Sequence, residues 1–296
     1  MNSILLAVII VSVIGLIAGL GLAIASKVFA VPVDEKAEAI RACLPGANCG
    51  ACGFSGCDGY AAALSQGKTT NTGLCAPGGA EASAAIAKVT GLSAGSVVPQ
   101  TAVVMCRGNK DNTDTKLEYI GVKSCKMAAQ LYGGPGECAY GCIGYGDCVE
   151  ACPYDAITIV NGVARVNPLA CRACKQCIAA CPKNLIELMP IYEAKAAVRC
   201  KNHDKGAVTR KACSAGCIGC MKCTKVCEVG AVKVVNFCAE VDFDKCIGCG
   251  KCNEVCPVKC IDLVNHEKTV EEINDFLASQ KEAKKDKKEE KEAKGA

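Results

Sequence analysis

Sixteen cysteines between residues 138 and 256 fall into four groups of four, and their spacing constrains the fold more than any other feature. Two groups, at 171–182 and 246–257, follow the pattern Cys-x2-Cys-x2-Cys-x3-Cys-Pro residue for residue. In such a run three thiolates hold one [4Fe–4S] cluster, while the fourth cysteine ligates the cluster of a partner group. The spacing therefore predicts iron–sulfur clusters that occur in pairs.

The pairing predicts which cysteines share a cluster. In the first unit, one cluster is expected on Cys138, Cys142, Cys148 and Cys181, and its neighbour on Cys171, Cys174, Cys177 and Cys152. In the second unit, the sets are Cys217, Cys220, Cys223 and Cys256, then Cys246, Cys249, Cys252 and Cys227. Alternating apolar segments at 156–166 and 231–241 separate the groups of each unit and predict β-hairpins. Two tandem ferredoxin-like units follow from this internal repeat.

Two groups depart from the pattern. The first reads Cys-x3-Cys-x5-Cys, and aligning it with the third group sets Cys138 against Cys213. Cys213 therefore competes with Cys220 as a ligand, and the sequence leaves that choice open. The third group ends in Cys227-Glu228, where proline is usual. Because that position shapes the backbone and supplies no ligand, the cluster is expected to survive.

A fifth constellation lies near the N-terminus and contains Cys49, Cys52, Cys57 and Cys75. Glycines at 50, 53 and 56 allow the loop to wrap closely around a cluster. Zinc is the alternative metal, but it favours two knuckles of two ligands each, and histidine is absent from this set. Disulfides would require an oxidising compartment. The sequence thus predicts five [4Fe–4S] clusters.

Residues 4–25 contain no charge and no proline. As a helix they would be roughly 33 Å long, which is enough to cross a bilayer. A cleaved signal peptide would have a shorter apolar stretch and a basic start, so a retained single-pass anchor is expected. The cations that follow, at Lys27, Lys36 and Arg41, predict that the iron–sulfur domains lie on the cytoplasmic side of the inner (cytoplasmic) membrane.

The predicted fold class is α+β, with one transmembrane helix, a small helical 4Fe–4S domain and two tandem bacterial 2[4Fe–4S] ferredoxin-like domains. The predicted layout is an anchor at 1–30, a 4Fe–4S domain at 31–95, a connector at 96–134, ferredoxin-like domains at 135–190 and 205–264, and a charged tail at 265–296. The net charge of +4 gives no argument for nucleic acid, and no nucleic-acid partner is expected.

The segment LPGANCGACGFSGC at 44–57, followed by two ferredoxin-like units behind an N-terminal anchor, resembles the RnfB component of Rnf complexes. The resemblance covers residues 1 to about 264. It implies an electron-transfer subunit that takes electrons from soluble reduced ferredoxin and works with other membrane subunits of a translocase. Such a complex reduces NAD and moves Na+ or H+; a related complex reduces a redox-sensing regulator. No catalytic substrate site is expected in the chain itself.

Two other functions compete with this one. A redox module of a hydrogenase or of a corrinoid-activating enzyme would need a catalytic constellation outside the cysteines, and a disulfide protein would hold no iron. Lysines inside the motifs are candidates for docking an acidic ferredoxin: Lys175, Lys222, Lys225 and Lys251. Seven cysteines remain, which are expected to be buried thiols but leave room for a sixth cluster: Cys43, Cys106, Cys125, Cys200, Cys213, Cys238 and Cys260.

Overall fold

The uncharged N-terminal stretch forms one long helix, α1 (Ser3–Val28), in the computed structural model. The structure describes residues 3–28, 34–191 and 193–264, together with 271, 274, 275 and 278. Within α1, residues Ile9–Lys27 have a mean hydropathy of 2.5 and none of this stretch is buried in the protein. By length and composition this helix can span a membrane. The charged tail expected at 265–296 lies almost entirely outside the described residues.

Three helices form the small domain after α1. Asp34 caps α2 (Glu35–Ala42) by accepting hydrogen bonds from the N–H groups of Lys36 and Ala37. Helix α3 (Cys57–Ser65) packs against α2, and α4 (Gly79–Thr90) ends at Gly91, which adopts the left-handed conformation that favours glycine. Helix α4 is rich in alanine, the residue with the highest helix propensity. The domain core contains Ile40, Tyr60, Leu64 and Ile86, together with Cys57 and Cys75.

The first ferredoxin-like unit is built on two short antiparallel pairs. Strands β2 (Ile157–Val160) and β3 (Val163–Val166) form the expected hairpin, with Asn161 and Gly162 at the turn. One-turn helices α6 (Asp147–Glu150) and α7 (Gln176–Ala180) carry motif cysteines. Strand β4 (Ile186–Pro190) pairs with β1 (Gln100–Val104), and α5 (Cys125–Ala129) lies between β1 and the unit in sequence. The connector expected at 96–134 therefore includes a strand of the first unit, β1. The apolar residues of β1 pack against this unit along β4.

The second unit repeats this arrangement. Strands β6 (Val232–Val235) and β7 (Cys238–Val241) form its hairpin, and α9 (Lys222–Lys225) and α10 (Lys251–Glu254) carry motif cysteines. Strand β5 (Ala196–Val198) pairs with β8 (Ile261–Leu263) as β1 pairs with β4, and α8 (Gly206–Ala212) precedes the third group. Apolar side chains from both units share one core cluster: Val103, Met105, Met189, Ala197 and Val264. The two units thus pack directly on each other.

Candidate metal centres

The four N-terminal cysteines converge. Cys49, Cys52, Cys57 and Cys75 line one cavity, under Tyr60. The N–H of Cys57 donates to Oδ1 of Asn48 at 2.8 Å, which ties the loop to the start of α3. Gly56 has a positive φ of 96°, and a Cβ there would lie 3.0 Å from Oδ1 of Asn48, so the loop requires glycine. This loop can hold four thiolates around a common centre.

The second cavity differs from the expected ligand set by one residue. Cys142, Cys148 and Cys181 line it as expected, but Cys138 does not; Cys125 occupies the fourth position. The thiols of Cys142 and Cys148 both interact electrostatically with Cys125. In the third group the corresponding position is Cys220, whereas in the first group it is Tyr145. The missing thiol therefore comes from α5, outside the motif.

Asp147 holds Cys125 in this cavity. Its carboxylate accepts hydrogen bonds from Cys125 N at 2.7 Å, from Lys126 N at 2.9 Å and from Ser124 Oγ at 2.9 Å. These donors stabilise the ionised form and lower the pKa of Asp147 even though burial opposes this. Because Asp147 directly precedes Cys148, the hydrogen bonds connect α5 to the motif itself.

Cys138 lies instead in a cavity between the two units. Three of the seven cysteines that have no place in the expected ligand sets line the same cavity. Cys106, Cys138, Cys200 and Cys213 line this cavity, which we call the interunit cage. Cys106 and Cys138 come from the first unit, and Cys200 and Cys213 from the second. Cys213 is thus separated from Cys220, which lines the cavity of the third group.

The sulfurs of the interunit cage accept hydrogen bonds from nearby N–H groups. Gly108 N and Cys142 N each donate to Cys106 Sγ at 3.4 Å. Asn202 donates to two sulfurs, through its N–H to Cys200 at 3.4 Å and through Nδ2 to Cys138 at 3.5 Å. The loops that carry the thiols are joined across the units, since Thr113 Oγ1 donates to Ala212 O at 2.7 Å. The cage is therefore preorganised from both sides.

Three guanidinium groups add positive charge beside the cage. Arg199 lines it and is buried, and its pKa is lowered to about 10 by this burial and by the neighbouring Arg165 and Arg107. Arg107 Nη1 and Arg199 Nε both face Asp262, at 3.0 and 3.7 Å. These three guanidinium groups and the single carboxylate of Asp262 together carry a net positive charge. A positive charge beside the cage favours the ionised, thiolate form of its cysteines.

The remaining predicted sets also come together. Cys177 interacts electrostatically with Cys171, Cys174 and Cys152. Cys217, Cys220, Cys223 and Cys256 line one cavity. Cys246 and Cys249 act on Cys252, and Cys227 packs against the same core as Cys246. Backbone N–H groups donate to sulfurs at matching places in both units, from Ala102 to Cys171 and from Ala196 to Cys246.

The chemistry of these sites fits iron–sulfur clusters. Burial raises the pKa of several thiols, to about 12 for Cys106, Cys148 and Cys177, so ionisation here needs a cationic partner such as iron. In the described part of the chain, no three His, Cys, Asp or Glu side chains converge tightly enough to hold a single metal ion. The thiols surround a volume instead, as a multinuclear cluster requires.

Five of the six sites follow one another in space, and the sixth, which contains Cys246 and Cys252, shares a core with Cys217 and Cys223. Cys174 of the first unit interacts with Cys49 of the N-terminal domain, and Gln176 Nε2 donates to Cys49 O at 3.5 Å. Cys148 interacts with Cys177, which joins the two sites of the first unit. Cys142 lines both its own cavity and the interunit cage. On the other side of the cage, Cys200 interacts with Cys217 of the second unit.

Family models match the same regions. A model whose description names an Fe-S cluster matches residues 44–76, and a 4Fe-4S dicluster domain matches residues 138–185. Two models described as 4Fe-4S binding domains match residues 214–230 and 239–262. Cys106, Cys125 and Cys200 lie outside all of these matches.

The chain is also similar to curated proteins over most of its length. The B subunit of the Na(+)-translocating ferredoxin:NAD(+) oxidoreductase complex of Acetobacterium woodii is 44% identical over 83% of this chain and 73% of its own length. The B subunit of the ion-translocating oxidoreductase complex of Methanosarcina acetivorans is 39% identical over 80% and 92%. The B subunit of the proton-translocating ferredoxin:NAD(+) oxidoreductase complex of Clostridium ljungdahlii is 38% identical over 82% and 85%.

Proposed function

The chain belongs to the family of B subunits of ion-translocating ferredoxin:NAD(+) oxidoreductase complexes, and we propose that it conducts electrons through six [4Fe–4S] clusters from reduced ferredoxin to the membrane subunits of such a complex. A bound [4Fe–4S] cluster accepts and releases one electron at a time. The protein supplies the thiolate ligands, the hydrogen bonds to sulfur and the burial that set each potential. The observation that carries the proposal is the spatial succession of thiol sites from the N-terminal domain through the first unit and the interunit cage to the second unit.

The proposed ligand sets differ from the sequence expectation in two ways. Cys125 replaces Cys138 beside Cys142, Cys148 and Cys181, and Cys138 joins Cys106, Cys200 and Cys213 in the interunit cage. The other four sets are those expected from the spacing. The cluster count therefore rises from five to six, and Cys220 keeps its place with Cys217, Cys223 and Cys256.

The order of the sites supports a direction for the electrons. The cavity at 49–75 is nearest in sequence to α1, so we assign delivery to the membrane partners to this end, on the cytoplasmic side. The opposite end holds Cys246, Cys249, Cys252 and Cys227. Cys249 there and the nearby Cys220 are exposed. We assign ferredoxin to this end, because exposed cluster ligands shorten the distance to a soluble donor.

Two of the four motif lysines make contacts within the protein, and the other two are available to a partner. Lys175 donates to Ala51 O at 3.2 Å, so it serves the contact between the first unit and the N-terminal domain. Lys251 forms an ion pair with Glu228. Lys222 and Lys225 are exposed on α9, beside the ferredoxin-facing end. These two lysines are the docking residues of the proposal.

Iron and acid-labile sulfide per chain, measured after anaerobic purification, test the ligand sets. Six clusters require about 24 of each, and five require about 20. The variants Cys125→Ala and Cys138→Ala should each lose about four iron. Cys43→Ala is the matched control, because Cys43 Sγ donates to Ala39 O at 3.4 Å within the N-terminal domain and lines none of the described cavities. A Cys125→Ala protein that retains its full iron would refute the reassigned site.

A further inference from the structure

Two buried thiols of the second unit belong to none of the six ligand sets. Cys238 begins β7 and is fully buried, and Cys260 directly precedes β8 and is 1% exposed. Buried cysteines usually pack as small hydrophobic side chains. Both of these thiols, however, pack in the same core as cysteines of one site, the one formed by Cys217, Cys220, Cys223 and Cys256, which we call the Cys217 site.

Cys260 lies inside that site. It lines the same cavity as the four ligands, and its Sγ is 3.6 Å from Cys256 Sγ. Cys256 is fixed as a ligand by its motif, in which Cys260 has no position. A fifth thiol in this cavity is therefore a neighbour of the ligands and can donate its S–H to them.

Cys238 lies between the Cys217 site and the interunit cage. Its thiol donates to Cys200 O at 3.2 Å. The next residue, Ala239, donates its N–H to Cys217 Sγ at 3.4 Å. The backbone of β7 thus serves the Cys217 sulfur, whereas the single S–H of Cys238 is used by a carbonyl oxygen.

The first unit provides an internal comparison. Leu185 follows Cys181 by four residues, as Cys260 follows Cys256, and Val163 begins β3 as Cys238 begins β7. Both apolar residues are buried, Val163 completely and Leu185 to 2% exposure. Leu185 lines both the Cys142 cavity and the interunit cage. The two units therefore share a backbone plan and differ at these two positions in whether a hydrogen-bond donor is present.

We propose that Cys260 is a non-ligating thiol whose S–H group donates to the sulfurs of the Cys217 site and raises its reduction potential above that of the equivalent Cys142 site. Reduction places extra negative charge on the cluster and its ligand sulfurs, and donors to those sulfurs stabilise the reduced form. Leucine offers no such donor. The ordinary pKa of a thiol lies above neutral pH, so Cys260 keeps its S–H as long as it binds no iron.

This inference rests on the proposed function, since it requires clusters in both sites. It goes beyond that function by ranking two of the clusters. The Cys217 site is then the better electron acceptor of the pair, and it lies next to the ferredoxin-facing end. Electrons would collect there before they cross the interunit cage.

The test replaces each thiol by its counterpart in the first unit. Cys260→Leu and Cys238→Val, singly and together, are compared with wild type by iron and sulfide content and by an anaerobic reductive titration monitored by EPR. The signal of the Cys217 site is assigned by its absence from a Cys223→Ala variant. We expect unchanged iron in all of them, and a shift of this signal to lower potential in Cys260→Leu and in the double variant that is clearly larger than in Cys238→Val alone.

Reciprocal and conservative variants complete the experiment. Leu185→Cys should raise the potential of the Cys142 site, and Cys260→Ser, which keeps a donor, should retain more of the wild-type potential than Cys260→Leu. Loss of about four iron in Cys260→Leu would overturn the inference, because Cys260 would then be a ligand. Unchanged potentials in the double variant would also overturn it. A wild-type protein without iron would instead defeat the proposed function, so the two failures are distinguishable.

Discussion

The backbone N–H of Cys125 donates a 2.7 Å hydrogen bond to Oδ1 of Asp147, and this bond brings a thiol from outside the motifs to the cavity of Cys148. The carboxylate accepts two further hydrogen bonds from the same turn, so the start of α5 is fixed on the motif loop. A side chain that is not itself a ligand thus determines which cysteine completes a site. Its role is positioning.

Asp147→Asn should lower the iron content by about four per chain, because the amide keeps one acceptor oxygen and sets an N–H₂ against N–H donors. Loss of hydrogen bonds to a charged acceptor should also cost about 1–3 kcal/mol in the free energy of unfolding. Iron analysis and denaturant unfolding under anaerobic conditions measure both effects. Asp244→Asn, at an exposed position, is the control and should change neither.

Cys138→Ala should interrupt conduction between the two units. With the interunit cage incomplete, ferredoxin should still reduce the second unit rapidly, while the sites of the first unit and the N-terminal domain are reduced slowly. Stopped-flow bleaching of the visible absorption measures this as a fast phase of reduced amplitude. A full-amplitude fast phase in this variant would show that electrons bypass the cage.

The double variant Lys222→Glu, Lys225→Glu should slow reduction by ferredoxin roughly tenfold at low ionic strength and reverse the effect of salt. Wild type should slow as salt rises, since salt screens attraction between exposed charges. Stopped-flow reduction at several salt concentrations gives both quantities. Lys88→Glu, on the exposed side of α4 and far in sequence from the second unit, should behave as wild type.

Removal of residues 1–33 should release the protein from membranes with its iron content intact. Helix α1 buries none of its apolar window in the rest of the chain, so its deletion exposes no core. Fractionation and iron analysis measure the result. Truncated protein that remained in the membrane fraction would show that another segment provides the attachment.

The sequence predicts most local structure here because the motifs are local. The hairpins at 157–166 and 232–241, the helix at 79–90 and the N-terminal set of four cysteines all depend on residues close in sequence. The Cys-x2-Cys-x2-Cys spacing also predicts the crossing of Cys181 and Cys256 between groups.

The remaining ligands depend on pairings between distant strands. Cys106 follows β1 and Cys200 follows β5 by two residues each, and only the β1–β4 and β5–β8 pairings bring these cysteines between the units. Spacing alone carries no signal for such pairs. Tyr145 does carry a signal, because it stands where the third group has Cys220 and so indicates that the first group needs a thiol from elsewhere. The sequence does not indicate that Cys125 is the thiol that lies in this cavity.

The interunit cage also has a consequence for biosynthesis. Its first thiol, Cys106, leaves the ribosome before any of the first unit's motifs, and its last, Cys213, only after that unit is complete. Domains fold in order of synthesis, at about 5–20 residues per second, so the N-terminal site can be filled while translation continues. The interunit cage lacks two of its four thiols until the second unit begins to form. Under the proposed ligand sets, a cluster can bind in the cage only after both units have been synthesised, so a chain whose translation stalls between them would lack this one cluster.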